Sequence, residues 1–257
     1  MKVIVNKLAV EYADEGNGPV MLFLHGWNTD LHTFDALTAE LSRDFRIARL
    51  DLPGFGGSEL PKESWGVGEY SIFVKDFCEK LDITPVALLG HSFGGRIAIK
   101  AVARGIFTPE KLILLGSAGV ARRTVARVIT TSIVAFKNFA RFIPSSNFFY
   151  AKGRFFLRRL GGFYQQRESD YHAAGALKST FLKVIAEDLS PEAKKISIPT
   201  LLIWGEDDTA TPLSEGKRLR ELIIGSTLKV IAGASHFVHQ EKPSQVSTLV
   251  REFLRCL

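Results

Sequence analysis

The stretch LLGHSFGGRIA, residues 88–98, places a serine among three glycines where an apolar run gives way to a helical pattern. Gly90, Ser92 and Gly94 form a G-x-S-x-G sequence, and Gly95 follows directly. A serine on a sharp strand-to-helix turn has strained backbone angles, and a Cβ two positions away on either side would clash. The stretch predicts such a turn, with Ser92 Oγ exposed at the carboxyl end of a strand. Glycines that merely loosen a tight turn are the alternative.

Apolar runs bounded by turn residues recur along the chain. Continuous runs of this kind are typical of strands buried on both faces of a parallel sheet. They cover residues 20–26, 45–54, 86–92, 111–119, 200–208 and 228–236. Amphipathic helical patterns alternate with them, at 30–44, 69–81, 95–105, 213–222 and 244–256, the last with Ser244 as its N-cap. Residues 2–12 predict a hairpin, and the alternation predicts an α/β fold with a doubly wound, mostly parallel sheet.

Residues 120–190 interrupt this alternation with helical patterns and no strand. They contain 12 Lys and Arg against 4 Asp and Glu, in a chain whose net charge is +6. We predict a helical cap here, inserted into a core formed by residues 1–119 and 191–257. Its aromatic side chains would line an apolar pocket, with the basic ones in solvent. Two alternatives are that cap arginines bind an acidic substrate, and that the cap contacts an anionic membrane surface.

Several classes of function are excluded by what the sequence lacks. No phosphate-binding loop, dinucleotide fingerprint or metal-ligand spacing occurs, so no cofactor and no metal are expected. The basic charge is local and accompanies no nucleic-acid-binding motif, so no nucleic acid partner is expected. Two cysteines make no disulfide framework, and the first residues contain no apolar run long enough to predict a signal peptide. No apolar run of transmembrane length occurs in the sequence. A cytoplasmic location is therefore expected.

Two later strand ends carry the side chains that a serine nucleophile needs. A serine hydroxyl requires a base, and the base requires an acid that orients it. Asp207 and Asp208 follow the apolar run that begins at residue 200, and His236 follows the next run. These residues make Ser92 a candidate nucleophile in the chain order Ser, Asp, His.

This order and five motifs resemble the α/β-hydrolase superfamily, of the esterase or C–C hydrolase type with a helical cap. The motifs are LHGW (24–27), DLPGFGGS (51–58), GHSFGG (90–95), WGEDDTATP (204–212) and GASHF (233–237). The resemblance covers nearly the whole chain and implies a catalytic triad of Ser92, Asp208 and His236. Asp207 is then a surface neighbour, and His239 a surface or packing residue.

The resemblance also implies an oxyanion hole and its support. The backbone N–H groups of Trp27 and Phe93 would bind the developing oxyanion. The residues expected to support the site structurally are His25, Gly26, Gly90, His91, Gly94 and Gly95.

The function implied is a cofactor-independent serine hydrolase, resembling carboxylesterases, that cleaves a small ester through an acyl-enzyme. The ester would be acidic if cap arginines bind it. One alternative is a C–C bond hydrolase or lyase with the same triad, although HGWNTD (25–30) lacks the Gly-Pro-Gly common in meta-cleavage hydrolases. Another is a small-molecule receptor or pseudoenzyme of the same fold. Serine at position 92 excludes the aspartate nucleophile of epoxide-opening relatives. The sequence leaves the natural substrate and the oligomeric state open.

Overall fold

The computed structural model describes residues 1–120, 170 and 172–255. The described strands are β1 (Lys2–Val5), β2 (Leu8–Glu15), β3 (Val20–Leu24), β4 (Arg46–Leu50), β5 (Ala87–His91), β6 (Lys111–Leu115), β7 (Thr200–Gly205) and β8 (Thr227–Ile231). They form one sheet in the order β1-β2-β4-β3-β5-β6-β7-β8. β2 pairs antiparallel with β1 and with β4, and the remaining neighbours are parallel. The predicted fold class is confirmed.

Helices cover both faces of the sheet. They are α1 (Asp35–Leu41), α2 (Val67–Lys80), α3 (Phe93–Ala103), α4 (Lys178–Ala186), α5 (Ser190–Ala193), α6 (Leu213–Leu222), α7 (Val238–Glu241) and α8 (Pro243–Leu254). Alternate residues of each central strand face opposite sides: Leu22 and Leu24 of β3 belong to the apolar cluster that contains α2, α3 and α6, and Met21 and Phe23 to the cluster that contains α1 and α8. This alternation produces the doubly wound architecture. None of the helices in the described ranges is long and apolar enough to cross a bilayer.

Some helices begin at a residue other than the one that the periodic pattern predicts, because local hydrogen bonds determine where they start. α2 begins two residues before its predicted start because the Glu69 carboxylate accepts a hydrogen bond from Gly66 N, at 2.9 Å, and satisfies that end of the helix. The predicted N-cap at Ser244 is wrong. α8 begins at Pro243, and the Ser244 hydroxyl instead donates to Glu40 Oε1 at 2.9 Å. Of the pattern predicted at 30–44, residues 35–41 are α-helical, after a 3₁₀ turn at Leu31–Phe34.

Most of the predicted cap, residues 121–169 and 171, lies outside the described residues, and its boundaries stay a prediction. The described end of that segment is helical, and Leu177, Val184 and Leu189 pack into the same apolar cluster as α3. Residues of α3 and its C-cap bind this segment and the helix after it: Arg96 donates to the Val184 and Glu187 carbonyl oxygens. Lys100 pairs with the Glu187 carboxylate, and Arg104 with that of Glu192. The helix that begins beside Ser92 therefore anchors the chain returning from the cap.

Candidate active site

The turn at Ser92 has the strained geometry that the sequence predicts. β5 ends at His91 and α3 begins at Phe93, so Ser92 alone joins strand to helix. Its φ of 50° and ψ of −106° lie in a region that L-residues rarely adopt, at a cost on the order of 1–3 kcal/mol. Ser92 N donates to the Leu115 carbonyl at 3.1 Å, and the Ser92 carbonyl accepts from Arg96 N and Ala118 N. These bonds from the adjacent strand and helix hold the turn.

The glycines of the turn are required by close backbone approach. A Cβ on Gly90 would lie 2.6 Å from the Gly94 carbonyl oxygen and 2.7 Å from Gly95 Cα. A Cβ on Gly94 would clash with the Leu24 carbonyl at the end of β3. Both clashes involve backbone, which cannot rotate away as a flexible side chain can. The crossing of β5, α3 and the end of β3 therefore requires glycine at these positions.

Replacing Gly94 by alanine is expected to destabilise the protein by about 1–3 kcal/mol or more, because the added methyl group forces α3 away from β3. Gly68→Ala is the matched control. Its Cβ would lie 3.4 Å from the flexible Lys100 Nζ, inside α2, where alanine favours the helix. Urea unfolding of both variants measures the difference. Equal stability of the two variants would contradict the packing argument.

Asp208 and His236 meet beyond the ends of β7 and β8. His236 Nδ1 lies 2.8 Å from Asp208 Oδ2, and the Asp208 side chain is fully buried. Asp207 is exposed, and its backbone N–H donates to the Ala234 carbonyl. The structure thus brings Asp208, and not Asp207, to the imidazole. With Nδ1–H donating to the carboxylate, Nε2 of His236 is left as the basic nitrogen.

Thr211 contacts both Asp208 and His236, and it is not among the site residues that the motifs predict. Its backbone N–H donates to Asp208 Oδ1 at 2.8 Å. Its hydroxyl oxygen lies 2.9 Å from Asp208 Oδ2, 2.9 Å from the Gly116 carbonyl oxygen and 3.2 Å from His236 Nδ1. The Thr211 backbone N–H therefore holds Oδ1, and its one hydroxyl proton is donated either to Oδ2 or to the Gly116 carbonyl at the end of β6. An Asp side chain often accepts a hydrogen bond from a backbone N–H a few residues later in the chain. The spacing of Asp208 and Thr211 could therefore have indicated this contact.

The loop after β3 lies directly against the Ser92 turn. A Cβ on Gly26 would be 2.9 Å from His91 Nδ1 and 3.4 Å from Ser92 Cβ. His25 holds the loop: its Nδ1–H donates to the Gly26 carbonyl at 2.8 Å, and its Nε2 accepts from Leu52 N at 2.9 Å. Within the described ranges, neither the Trp27 nor the Phe93 backbone N–H donates to a protein acceptor. Both are thus available to a ligand.

Three buried histidines lie near the Ser92 turn. His25 and His239 are fully buried and His91 is 1% exposed, so a surface position for His239 is wrong and a packing role is right. Burial lowers the pKa of all three: that of His25 below its ordinary range, that of His91 well below it, and that of His239 to about 3. The three rings are neutral at physiological pH, because the folded protein cannot solvate a charge there.

The buried histidines should make folding sensitive to acid. His239 has a folded pKa of about 3, against about 6.5 in an unfolded chain, so between these pH values only the unfolded state binds the proton. The free energy of unfolding should therefore fall as pH falls below 6.5, by about 1.4 kcal/mol per pH unit for each such group. His239→Phe removes one of these groups, so the slope of its free energy of unfolding against pH should be smaller by the contribution of one proton. Urea unfolding at pH 7, 6 and 5 measures this slope. Parallel dependences in wild type and variant would contradict it.

One cavity of about 560 Å³ joins these elements. His91, Ser92, Thr211 and His236 line it, together with the 26–29 loop. Its apolar wall consists of Trp27, Phe93, Phe181, Val184, Ile185 and Phe237, and its charged lining residues are Arg96, Asp170, Glu187, Asp188 and Glu215. In the part of the chain that the structure describes, no three His, Cys, Asp or Glu side chains converge as metal ligands do. The site is a mainly apolar pocket with a serine and an imidazole at one end.

A family model described as "alpha/beta hydrolase fold" matches residues 19–243. The chain belongs to this family. The uncharacterised hydrolase YugF of Bacillus subtilis is 27% identical over 264 residues, spanning 98% of this chain and 95% of YugF. The structure of a membrane phospholipase A, a bacterial virulence factor, matches at a TM-score of 0.77 and 25% identity, over 99% of this chain and 85% of that one. The enol-lactonase of Burkholderia xenovorans matches at 0.73 and 24% identity, over 99% and 100%.

The α/β-hydrolase family that the motifs resemble is therefore confirmed. The matched range runs from the start of β3 to Pro243 and includes the Ser92 turn, Asp208 and His236. Membership and the relatives named as hydrolases assign the protein to the hydrolases.

Proposed function

We propose that this α/β-hydrolase is a cofactor-independent serine hydrolase that cleaves small carboxylic esters through an acyl-enzyme. The observation that carries the proposal is that the strained Ser92 lines one cavity with His236, whose Nδ1 is bonded to the buried Asp208 behind it. A strained backbone persists only where the surrounding structure enforces it, and such strain is concentrated at functional sites.

In the proposed mechanism, Ser92 Oγ attacks the ester carbonyl carbon while His236 Nε2 takes the hydroxyl proton. Asp208 holds the imidazole in the required tautomer and stabilises the imidazolium that forms. The proton then passes to the alkoxide leaving group, and the acyl group stays on Ser92. Water attacks this ester with His236 again as the base, which releases the carboxylic acid and restores the serine.

Two backbone donors would stabilise the tetrahedral intermediate. The Trp27 and Phe93 N–H groups lack protein acceptors within the described ranges and belong to cavity-lining residues. Phe93 is the first residue of α3, so its N–H carries the partial positive charge of a helix N-terminus. One such donor is typically worth about 3–4 kcal/mol of transition-state stabilisation.

The cavity favours a small ester with an apolar acyl or alcohol group. Trp27 packs against Phe55, Phe93 and Phe181, with ring centroids 5.0–5.4 Å apart, and forms a continuous aromatic wall. The charged residues on the described lining are four carboxylates and one guanidinium, so this part of the wall disfavours an anionic substrate. The cap arginines that would bind an acidic ester lie outside the described residues.

A fluorophosphonate probe tests the nucleophile independently of the natural substrate. We expect the intact protein to be labelled once, on the peptide that contains Ser92, as read by mass spectrometry. Labelling elsewhere, or none, would exclude the proposed serine chemistry. A panel of p-nitrophenyl esters of increasing acyl length, with one anionic hemiester, then measures the preference. Steady multiple turnover of short neutral esters is expected. Binding without turnover, or cleavage of vinylogous ketone acids in place of esters, would contradict ester hydrolysis.

A further inference from the structure

Three histidine rings form a tilted stack beside the proposed nucleophile, with interplanar angles of 48° and 58° between neighbours. The His91 ring lies between those of His236 and His239, with centroid distances of 4.7 Å and 4.5 Å. His239 also packs on Phe34, and its Nε2 is hydrogen-bonded to Thr33 Oγ1 at 3.0 Å. The stack therefore connects the 3₁₀ turn at Leu31–Phe34 with the loop that carries His236.

His91 binds this loop directly. Its Nε2–H donates to the backbone carbonyl of His236 at 3.0 Å. His91 also precedes Ser92 in the chain and is the last residue of β5. One residue thus sets the position of the strained serine through the backbone and the position of the imidazole through its side chain. Asp208 fixes the tautomer of that imidazole, but Asp208 and the Thr211 hydroxyl oxygen, 3.2 Å away, both contact Nδ1, so these two contacts alone do not fix the tilt of the ring.

The stack carries an energetic cost that packing alone does not explain. The Nδ1 atoms of His91 and His239 are buried and have no hydrogen-bond partner. A buried polar atom without a partner costs about 1–3 kcal/mol. A phenylalanine ring at position 91 would fill similar space without this cost, but it would lack the Nε2–H. Departures from the stability optimum are expected at functional sites, so the cost points to a role for the Nε2–H.

We propose that His91 is a positioning residue for the general base: its Nε2–H holds the His236 backbone carbonyl, and its ring, backed by His239, holds the imidazole in line with Ser92. This inference rests on the proposed function. It assigns His91 no proton transfer and no contact with the reacting atoms. Its effect should therefore appear in kcat more than in KM, because the lost hydrogen bond orients the base and does not bind the substrate, although His91 lines one side of the cavity.

Two substitutions separate the hydrogen bond from the ring. His91→Phe keeps an aromatic ring and removes the donor, whereas His91→Gln places an amide N–H where Nε2–H lies. We expect His91→Phe to lower kcat for p-nitrophenyl butyrate by roughly 10- to 100-fold, the cost of about 1 Å of misplacement, with little change in KM. His91→Gln should recover most of that loss. His32→Phe, at an exposed histidine outside the stack, is the matched control and should match wild type.

A second measurement needs no substrate. The downfield proton resonance of His236 Nδ1–H reports its bond to Asp208 and should be present in wild type and His91→Gln. It should broaden or vanish in His91→Phe, because a ring that tilts exposes this proton to exchange. An unchanged resonance in folded His91→Phe, or equal kcat losses in the Phe and Gln variants, would overturn the positioning role. Failure of fluorophosphonate to label Ser92 in wild type would instead overturn the proposed function, and the resonance would still test His91.

Discussion

Replacing Ser92 by alanine is expected to lower kcat/KM for p-nitrophenyl butyrate by roughly 10⁵-fold, the scale at which removal of a serine nucleophile acts. The variant has no hydroxyl to form the acyl-enzyme, and His236 then has no proton to accept. A small residual rate should remain, because the Trp27 and Phe93 N–H groups still polarise a bound ester and water can attack it. Alanine at 92 keeps the backbone strain of φ 50°, so the fold should not gain or lose much stability.

Ser214→Ala is the control for this substitution. Ser214 is exposed on α6, and its loss should leave turnover at the wild-type level. Thermal unfolding of both variants verifies that they are folded. If Ser92→Ala kept a tenth or more of the wild-type rate, Ser92 would not be the nucleophile, and the acyl-enzyme mechanism would be wrong.

Replacing Asp208 by asparagine is expected to lower kcat by roughly 10³- to 10⁴-fold. The fully buried carboxylate accepts the His236 Nδ1–H, whereas an amide that presents its NH₂ group there favours the tautomer with the proton on Nε2. That tautomer cannot take the proton of Ser92. The imidazolium that forms in the reaction also loses its negatively charged partner. KM should change little, because Asp208 does not line the substrate cavity.

The adjacent carboxylate provides a closely matched control. Asp207→Asn removes the same charge one residue away, at an exposed position, and should retain nearly full activity. The ratio of the two kcat values, measured on one ester, isolates the contact with His236 from any general effect of charge on the loop. Similar losses in both variants would show that the loop, and not the Asp208–His236 bond, controls the rate.

Much of the site could be predicted from the sequence because short-range geometry determines it. The glycines at 90 and 94 lie within two residues of Ser92. The clash of a Cβ at Gly90 is with the turn itself, whereas that at Gly94 is with the Leu24 carbonyl of the neighbouring strand. The runs that became β5, β7 and β8 ended in Ser92, Asp208 and His236, and strand ends of a parallel sheet meet at one edge. The start of α2 could not be predicted from periodicity, since the Glu69 side chain determines it.

The sequence by itself determined the α/β class, the strained turn and the residue types at the three strand ends, since each depends on neighbours a few positions away. The tertiary structure decided which distant groups touch. His91 binds a carbonyl 145 residues away, and His239 meets Thr33 across 206 residues, contacts set by the order of strands in the sheet. Thr211 reaches the end of β6 for the same reason. Burial decided between the surface and packing positions that the sequence left open for His239, and it makes His239 a neutral ring with a pKa of about 3, because removing solvent penalises its charged form.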